Sequence, residues 1–164
     1  MKFITTFLII FLSVNVFAQE LPSPYNSGYE FPIGAKFTIK LNSEDPKNIT
    51  YSIIKFEPFT EIIDTFEHDD LFEKNGQEGT IDFYFCIGTH GETEKEKNKN
   101  MQVLLIFKNW TKFSLKYISE IQLNEEDEFK ETSNMGAYPG AIGNEMWPYM
   151  INTIRLRDFE ISNK

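Results

Sequence analysis

The densest group of side chains that could bind a metal ion lies between residues 64 and 73. Carboxylates beside an imidazole could bind a hard cation, and calcium is the natural choice outside a cell. The calcium-loop pattern D-x-[DN]-x-[DN]-G is absent, however, and so is the H-x-x-x-H spacing of zinc sites. We therefore predict a solvated acidic connection and no cofactor. The alternative is a calcium site whose ligands come from Asp64, Glu67, Asp69 and Asp70.

The single cysteine, Cys86, excludes an internal disulfide and raises the question of nucleophilic catalysis. A thiolate needs a base within hydrogen-bonding reach, and His90 is the nearest histidine in the sequence. Four residues along a strand separate two side chains by about 13 Å. Because Phe83, Tyr84, Phe85 and Ile87 surround it in sequence, Cys86 is predicted to be a small core residue.

The remaining catalytic patterns are weak. Any two of the 25 acidic residues could form the carboxylate pair of a glycoside hydrolase, but the sequence does not locate such a pair. There is no G-x-S-x-G elbow, no phosphate-binding loop followed by lysine and no dinucleotide fingerprint.

The segment 134–148, NMGAYPGAIGNEMWP, is the most unusual part of the sequence and is predicted to be a glycine-rich loop. Three aromatic residues are candidates for binding a ligand or partner: Tyr138 and Trp147 within the segment, and Tyr149 directly after it. In the alternative interpretation these aromatic side chains close one end of the core. We expect a divided outcome, in which Trp147 is buried among apolar neighbours while Tyr138 lies on a turn between glycines.

Composition limits the class of protein. With 164 residues and 41% hydrophobic content, the chain fits one globular domain and argues against intrinsic disorder. The net charge of −9 argues against a nucleic-acid partner, which needs a face rich in lysine and arginine. A protein or a glycan is the partner that remains.

The N-terminal residues predict export. Lys2 precedes an apolar stretch, Phe3 to Leu12, and Val16-Phe17-Ala18 supplies a cleavage site, which together form the pattern of a signal peptide. An uncleaved anchor is the alternative, but the stretch is shorter than the roughly 20 residues of a membrane span. We expect residues 1–18 to be removed, leaving a periplasmic, cell-surface or secreted protein that is not integral to a membrane.

The rest of the chain is divided into an extended arm, residues 19–34, and one β domain, residues 35–164. Apolar and polar residues alternate in 37–41, 49–56, 113–123 and 154–161, while 79–87 and 101–107 are continuous apolar runs of strand length. The alternation changes parity near Ile53, which indicates a β-bulge, and again at Asp158. A short helix or an irregular turn is expected at 59–66, with a strand as the alternative, and a helical turn is expected near 145–151.

These patterns predict a mainly β protein with at most one or two short helices. The architecture expected is a single antiparallel β-sandwich or jelly-roll-like domain. For its function, the sequence favours an exported, acidic, non-catalytic binding or interaction module. The alternative is a secreted hydrolase that uses carboxylates, similar in chemistry to glycoside hydrolases.

Overall fold

The computed structural model describes residues 20–46 and 48–162, apart from the side chain of Asp69. The predicted signal peptide lies outside the described residues. The strands form two sheets of a β-sandwich, so the predicted fold class is confirmed. Neighbouring strands run antiparallel, except for one short parallel pair between the fourth and fifth strands.

The larger sheet has six strands in the order β3-β2-β5-β6-β9, with β4 beside the end of β5. Its strands are β2 (Ala35–Asn42), β3 (Thr50–Pro58), β4 (Ile63–Asp64), β5 (Thr80–Thr89), β6 (Gln102–Asn109) and β9 (Ile142–Trp147). The smaller sheet has the order β1-β10-β7-β8. It consists of β1 (Tyr29–Pro32), β7 (Leu115–Gln122), β8 (Lys130–Thr132) and β10 (Thr153–Ile161).

The core lies between the two sheets and follows from the alternating sequence pattern. Side chains at every second position point inward, so each strand contributes one row to a shared apolar layer. Aromatic rings fill much of it, and the rings of Phe37 and Phe83 stack with centroids 4.9 Å apart. Further fully buried side chains include Phe31, Tyr51, Phe85, Leu105, Leu156 and Phe159.

A second, smaller apolar cluster covers the outer face of the larger sheet. It contains Tyr84, Cys86, Leu104 and Ile106, on which the connection between β3 and β5 packs. The predicted core position of Cys86 is confirmed, and its burial raises the pKa of the thiol to about 12. This cluster explains why β5 and β6 read as continuous apolar runs, since both faces of each strand are covered.

Both predicted changes of parity correspond to β-bulges. In the pairing of β2 with β3, Thr38 lies opposite Lys55 while Ile39 lies opposite Ile53, so Ile54 is the extra residue. In β10 the register shifts between Arg157 and Glu160, and Asp158 has a φ of 53° in the left-handed region. Aspartate tolerates this conformation better than most residues that carry a side chain.

Two local predictions are wrong. The predicted glycine-rich loop contains β9, which pairs with β6, so neither a loop nor a helical turn occupies 145–147. A Cβ on Gly143 would lie 2.4 Å from the Cζ atom of Phe107, so this glycine serves packing within a strand. The segment 59–66 forms no helix: it is an irregular connection that contains the two-residue strand β4, so the strand alternative holds for Ile63–Asp64.

The segment predicted as an extended arm joins both sheets. Tyr29–Pro32 forms β1 and pairs with β10. Before it, the backbone amide of Ser23 donates to the carbonyl oxygen of Ile53 at 2.9 Å, and Asn26 exchanges two backbone hydrogen bonds with Tyr51. These contacts cover part of the free edge of β3.

The polar connection between β5 and β6 contains the one α-helix of the described chain, α1 (Glu94–Lys99). Thr93 and Glu96 form a capping box at its first turn. A 3-10 turn follows β4 at Asp69–Leu71. None of the helices in residues 20–162 has the length and apolar character that crossing a membrane requires.

Candidate functional site

The three aromatic residues predicted to bind a ligand do not share one surface. Trp147 points into the core and is only 6% exposed, whereas Tyr138 and Tyr149 are 50% and 49% exposed. The two tyrosines lie beyond opposite ends of β9, a strand of six residues that spans about 17 Å between its end residues. Trp147 therefore contributes packing, and each tyrosine belongs to a separate surface.

Tyr138 borders a cavity of about 350 Å³ beside the N-terminal half of β7. The short strand β8 pairs only with Ser119–Ile121, and residues 133–138 then run past the rest of β7 beside the cavity. Hydrogen-bonding groups line much of the cavity, and apolar side chains stand beside them. The residues that line it include Ser114, Lys116, Ile118, Glu131, Asn134, Met135 and Tyr138.

The segment that carries Tyr138 is held in place on both sides. Ala137 and Leu115 exchange two backbone hydrogen bonds of 2.9 Å. Gly136 has a φ of +76°, and a Cβ there would lie 2.4 Å from the carbonyl oxygen of Leu115, so this position requires glycine. The Asn134 side chain donates to the Tyr117 carbonyl oxygen at 2.9 Å and accepts from the Gly136 amide at 3.0 Å.

A buried carboxylate next to this segment was missed by the sequence analysis. Glu145 points inward from β9, where the hydroxyl of Tyr117 donates to it at 2.6 Å and that of Ser119 at 2.9 Å. Burial raises the pKa of Glu145, while the two hydrogen bonds act in the opposite direction. Burial also raises the pKa of Tyr117 well above its usual value, with the Glu145 carboxylate adding to the effect. Glu145 therefore links the larger sheet to the smaller one through hydrogen bonds.

Glu145 does not meet the geometric requirement of a glycosidase acid. The cavity that it borders measures about 80 Å³ and contains no second carboxylate among its described lining residues. Glycoside hydrolysis needs two carboxyl groups about 5–9.5 Å apart across a site that admits a sugar ring. The arrangement instead resembles a satisfied polar contact within a core.

A second surface cavity, of about 360 Å³, lies at the other end of β9 beside Tyr149. Apolar residues that line it include Ile121 and Leu123, and the charged lining residues are Asp127, Glu128, Lys130 and Glu131. Asp127 accepts hydrogen bonds from the backbone amide and the side chain of Asn124, which fixes the acidic turn before β8. The cavity beside Tyr149 therefore has more charged lining residues than the cavity beside Tyr138.

The predicted metal ligands lie in the connection that follows β4. Asp64 accepts from the backbone amides of Phe66 and Glu67 at 2.8 and 3.0 Å, and these hydrogen bonds lower the pKa of its carboxyl group. Glu67 and Asp70 are exposed, and the side chain of Asp69 lies outside the described residues. Within the described part of the chain, no three His, Cys, Asp or Glu side chains converge as metal ligands.

The two histidines lie close to this connection. His90 packs its ring against that of Phe66, with the centroids 4.8 Å apart, and each imidazole contributes to lowering the pKa of Asp64. His68 Nδ1, His90 Nδ1 and Thr65 Oγ1 are buried without a hydrogen-bond partner among the described residues. Cys86 packs with Tyr84, Leu104 and Ile106 in the outer apolar cluster.

Comparison with models of known protein families, with curated proteins and with solved structures finds no match to this chain.

Proposed function

We propose that this protein is an acidic, non-catalytic binding module whose ligand occupies the cavity beside Tyr138. The observation that carries the proposal is the combination of a half-exposed aromatic ring with a preformed cavity lined by hydrogen-bonding groups. Hydrogen bonds to Leu115 and Tyr117 hold the segment in place. A ligand can therefore bind without first ordering this segment, which lowers the entropic cost of association.

A neutral glycan is the ligand class that these groups favour. Sugars offer many hydroxyl groups together with apolar ring faces, and the cavity pairs Ser114 and Lys116 with Tyr138. A protein partner is the second candidate. It is favoured by Met135, which is 81% exposed, because thioether side chains adapt to varied protein surfaces.

Affinity electrophoresis against a panel of neutral soluble polysaccharides tests the proposal. We expect at least one polysaccharide to retard the parent protein and the retardation to be lost in Tyr138→Ala. Tyr149→Ala is the matched control, because it removes an equally exposed ring outside this cavity and should preserve the retardation. If no polysaccharide retards the parent, the glycan proposal is wrong. Equal loss in both variants would contradict the assignment of the site to Tyr138.

A carboxylate-dependent hydrolase remains the competing function, and the isolation of Glu145 from a second carboxylate is the reason it is not favoured. Release of reducing sugars from the same polysaccharides measures this activity directly. We expect none above the uncatalysed background. Activity that is lost in Glu145→Gln would replace the binding proposal with the hydrolase.

We also propose that the protein is exported with removal of residues 1–18. The support is the arrangement of Lys2, the apolar stretch 3–12 and the small residue Ala18. The intact mass of the exported protein should correspond to a chain that starts at Gln19. A mass that includes residues 1–18 would contradict the cleavage.

A further inference from the structure

The outer edge of the larger sheet at β9 is unprotected. β9 pairs with β6 on one side only. The backbone amide of Trp110 donates to Thr80, and that of Asn109 donates to Ala141, so odd-numbered residues of β6 bond toward β9. The same alternation turns the backbone N–H and C=O groups of Ile142, Asn144 and Met146 away from β6. No described residue hydrogen-bonds to these outward groups.

The edge strands β1, β3 and β8 carry features by which proteins prevent strand addition. Proteins commonly use charged residues, proline, short strands or a covering segment for this purpose. β8 has three residues, two of them charged, and β1 contains Glu30 and Pro32. The N-terminal residues 23–26 cover part of β3, and Lys55, Glu57 and Pro58 occupy the remainder. Among the strands of the described residues, β9 alone is long, uncovered, free of proline and uncharged outside the buried Glu145.

The sequence of β9 is complementary to itself in one antiparallel register. A two-fold axis at Asn144 places Ile142 of one copy opposite Met146 of the other, and Asn144 opposite itself. By symmetry the Ile142–Met146 pair occurs twice, which gives three pairs with the central Asn144. All of them join residues whose backbone groups point outward, and each pair of this type exchanges two hydrogen bonds. Glu145 falls opposite Gly143, which has no side chain, so no charges of like sign face each other.

We propose that β9 pairs with β9 of a second copy of this chain, joining the two larger sheets into one continuous sheet across a two-fold axis. An uncharged edge on a chain of net charge −9 favours a neutral strand as its partner, and β9 itself is such a strand. Isologous contacts of this kind close as dimers and expose no further edge for growth. Tyr138 and Asn144 border the same small cavity, so dimerisation and ligand binding beside Tyr138 are measured by separate assays.

Cross-linking at Asn144 tests the register. Residues in a hydrogen-bonded antiparallel pair have Cα atoms about 5.5 Å apart, within the range of about 4.4–6.8 Å for a disulfide. With copper phenanthroline and oxygen as oxidant, we expect Asn144→Cys to form a self-disulfide of twice the single-chain mass. Met150→Cys, exposed but beyond the strand, is the control and should remain mostly monomeric. The native Cys86 is buried and does not compete.

The mass in solution tests the dimer without cross-linking. Small-angle scattering of the parent should give twice the single-chain mass, and Asn144→Pro should return it to one chain because the outward N–H is lost. Proline is tolerated at edge positions whose N–H faces solvent. If that variant fails to fold, Met146→Lys places a charge on the same edge, with Met150→Lys as its control. A single-chain mass up to about 1 mM, the dissociation constant of a very weak complex, overturns the proposal. So does equal cross-linking of the two cysteine variants, or a disulfide formed with a different protein.

Discussion

Replacing Trp147 with alanine should be among the most damaging single changes in this protein. The side chain is 94% buried within the core between the sheets, against strand β6 and beside the edge of the larger sheet. A tryptophan buries about 150–250 Å² of surface, which corresponds to about 4–6 kcal/mol at 25 cal/mol/Å². Measured losses for large aromatic deletions in cores are about 3–5 kcal/mol. This is a large part of the 5–15 kcal/mol that stabilises a typical domain.

Urea unfolding followed by far-ultraviolet circular dichroism measures the loss. Fluorescence is unsuitable because the variant removes one of only two tryptophans. We expect a loss of about 3–5 kcal/mol, equivalent to a fall in Tm of about 6–20 °C for a chain of this size. Tyr138→Ala is the comparison, and its change should stay near the 0.5 kcal/mol usual for surface substitutions. A loss below about 1 kcal/mol for Trp147→Ala would refute the core assignment, because surface substitutions fall in that range.

Glu145→Gln should remove one component of the pH dependence of stability. The pKa of Glu145 is higher in the folded than in the unfolded protein, so its contribution to the free energy of unfolding is greatest below about pH 4.5 and is lost as the pH rises through the folded pKa. Parallel pH profiles of stability for parent and variant in urea melts would contradict this. Gly143→Ala should cost about 1–3 kcal/mol because its Cβ would overlap the Phe107 ring. The additional change Phe107→Leu should recover part of the loss in thermal melts, and no recovery would argue against the overlap. Excess calcium should leave Tm unchanged, since Asp64 already accepts two backbone hydrogen bonds. A rise of about 5–11 °C, the effect of ligand at 100 times its Kd, that is abolished by Asp69→Asn with Asp70→Asn would establish the calcium site.

The strands could be predicted because burial on one face imposes a two-residue period. Residues 113–123 and 154–161 show that period directly, and both β-bulges appear as changes of parity in the sequence. Helix α1 also has a local signature, since Thr93 and Glu96 have the spacing of a capping box. No apolar face marks it as a helix, because none of its residues is buried.

Strand β9 could not be predicted because its glycine has a tertiary cause. Gly143 lies under the ring of Phe107, a residue 36 positions earlier, and a single sequence does not show that contact. Because residues 142–147 were predicted to be a loop, the alternation that places Glu145 on the inner face of a strand could not be recognised. The expected difference between a buried Trp147 and an exposed Tyr138 agrees with the structure, but the separation of Tyr138 from Tyr149 by a strand was not visible in the sequence.

The position of β10 determines when the protein can finish folding. β10 lies between β1 and β7 in the smaller sheet, yet it follows every other described strand in the chain. Pairing Tyr29 with Leu156 closes a loop of more than a hundred residues, and contacts so distant in sequence form slowly. Until Thr153–Ile161 emerges from the ribosome, β1 and β7 have no strand between them and the inner face of the larger sheet stays uncovered. The described part of the nascent chain therefore cannot complete the smaller sheet, and with it the β-sandwich, before β10 has been synthesised.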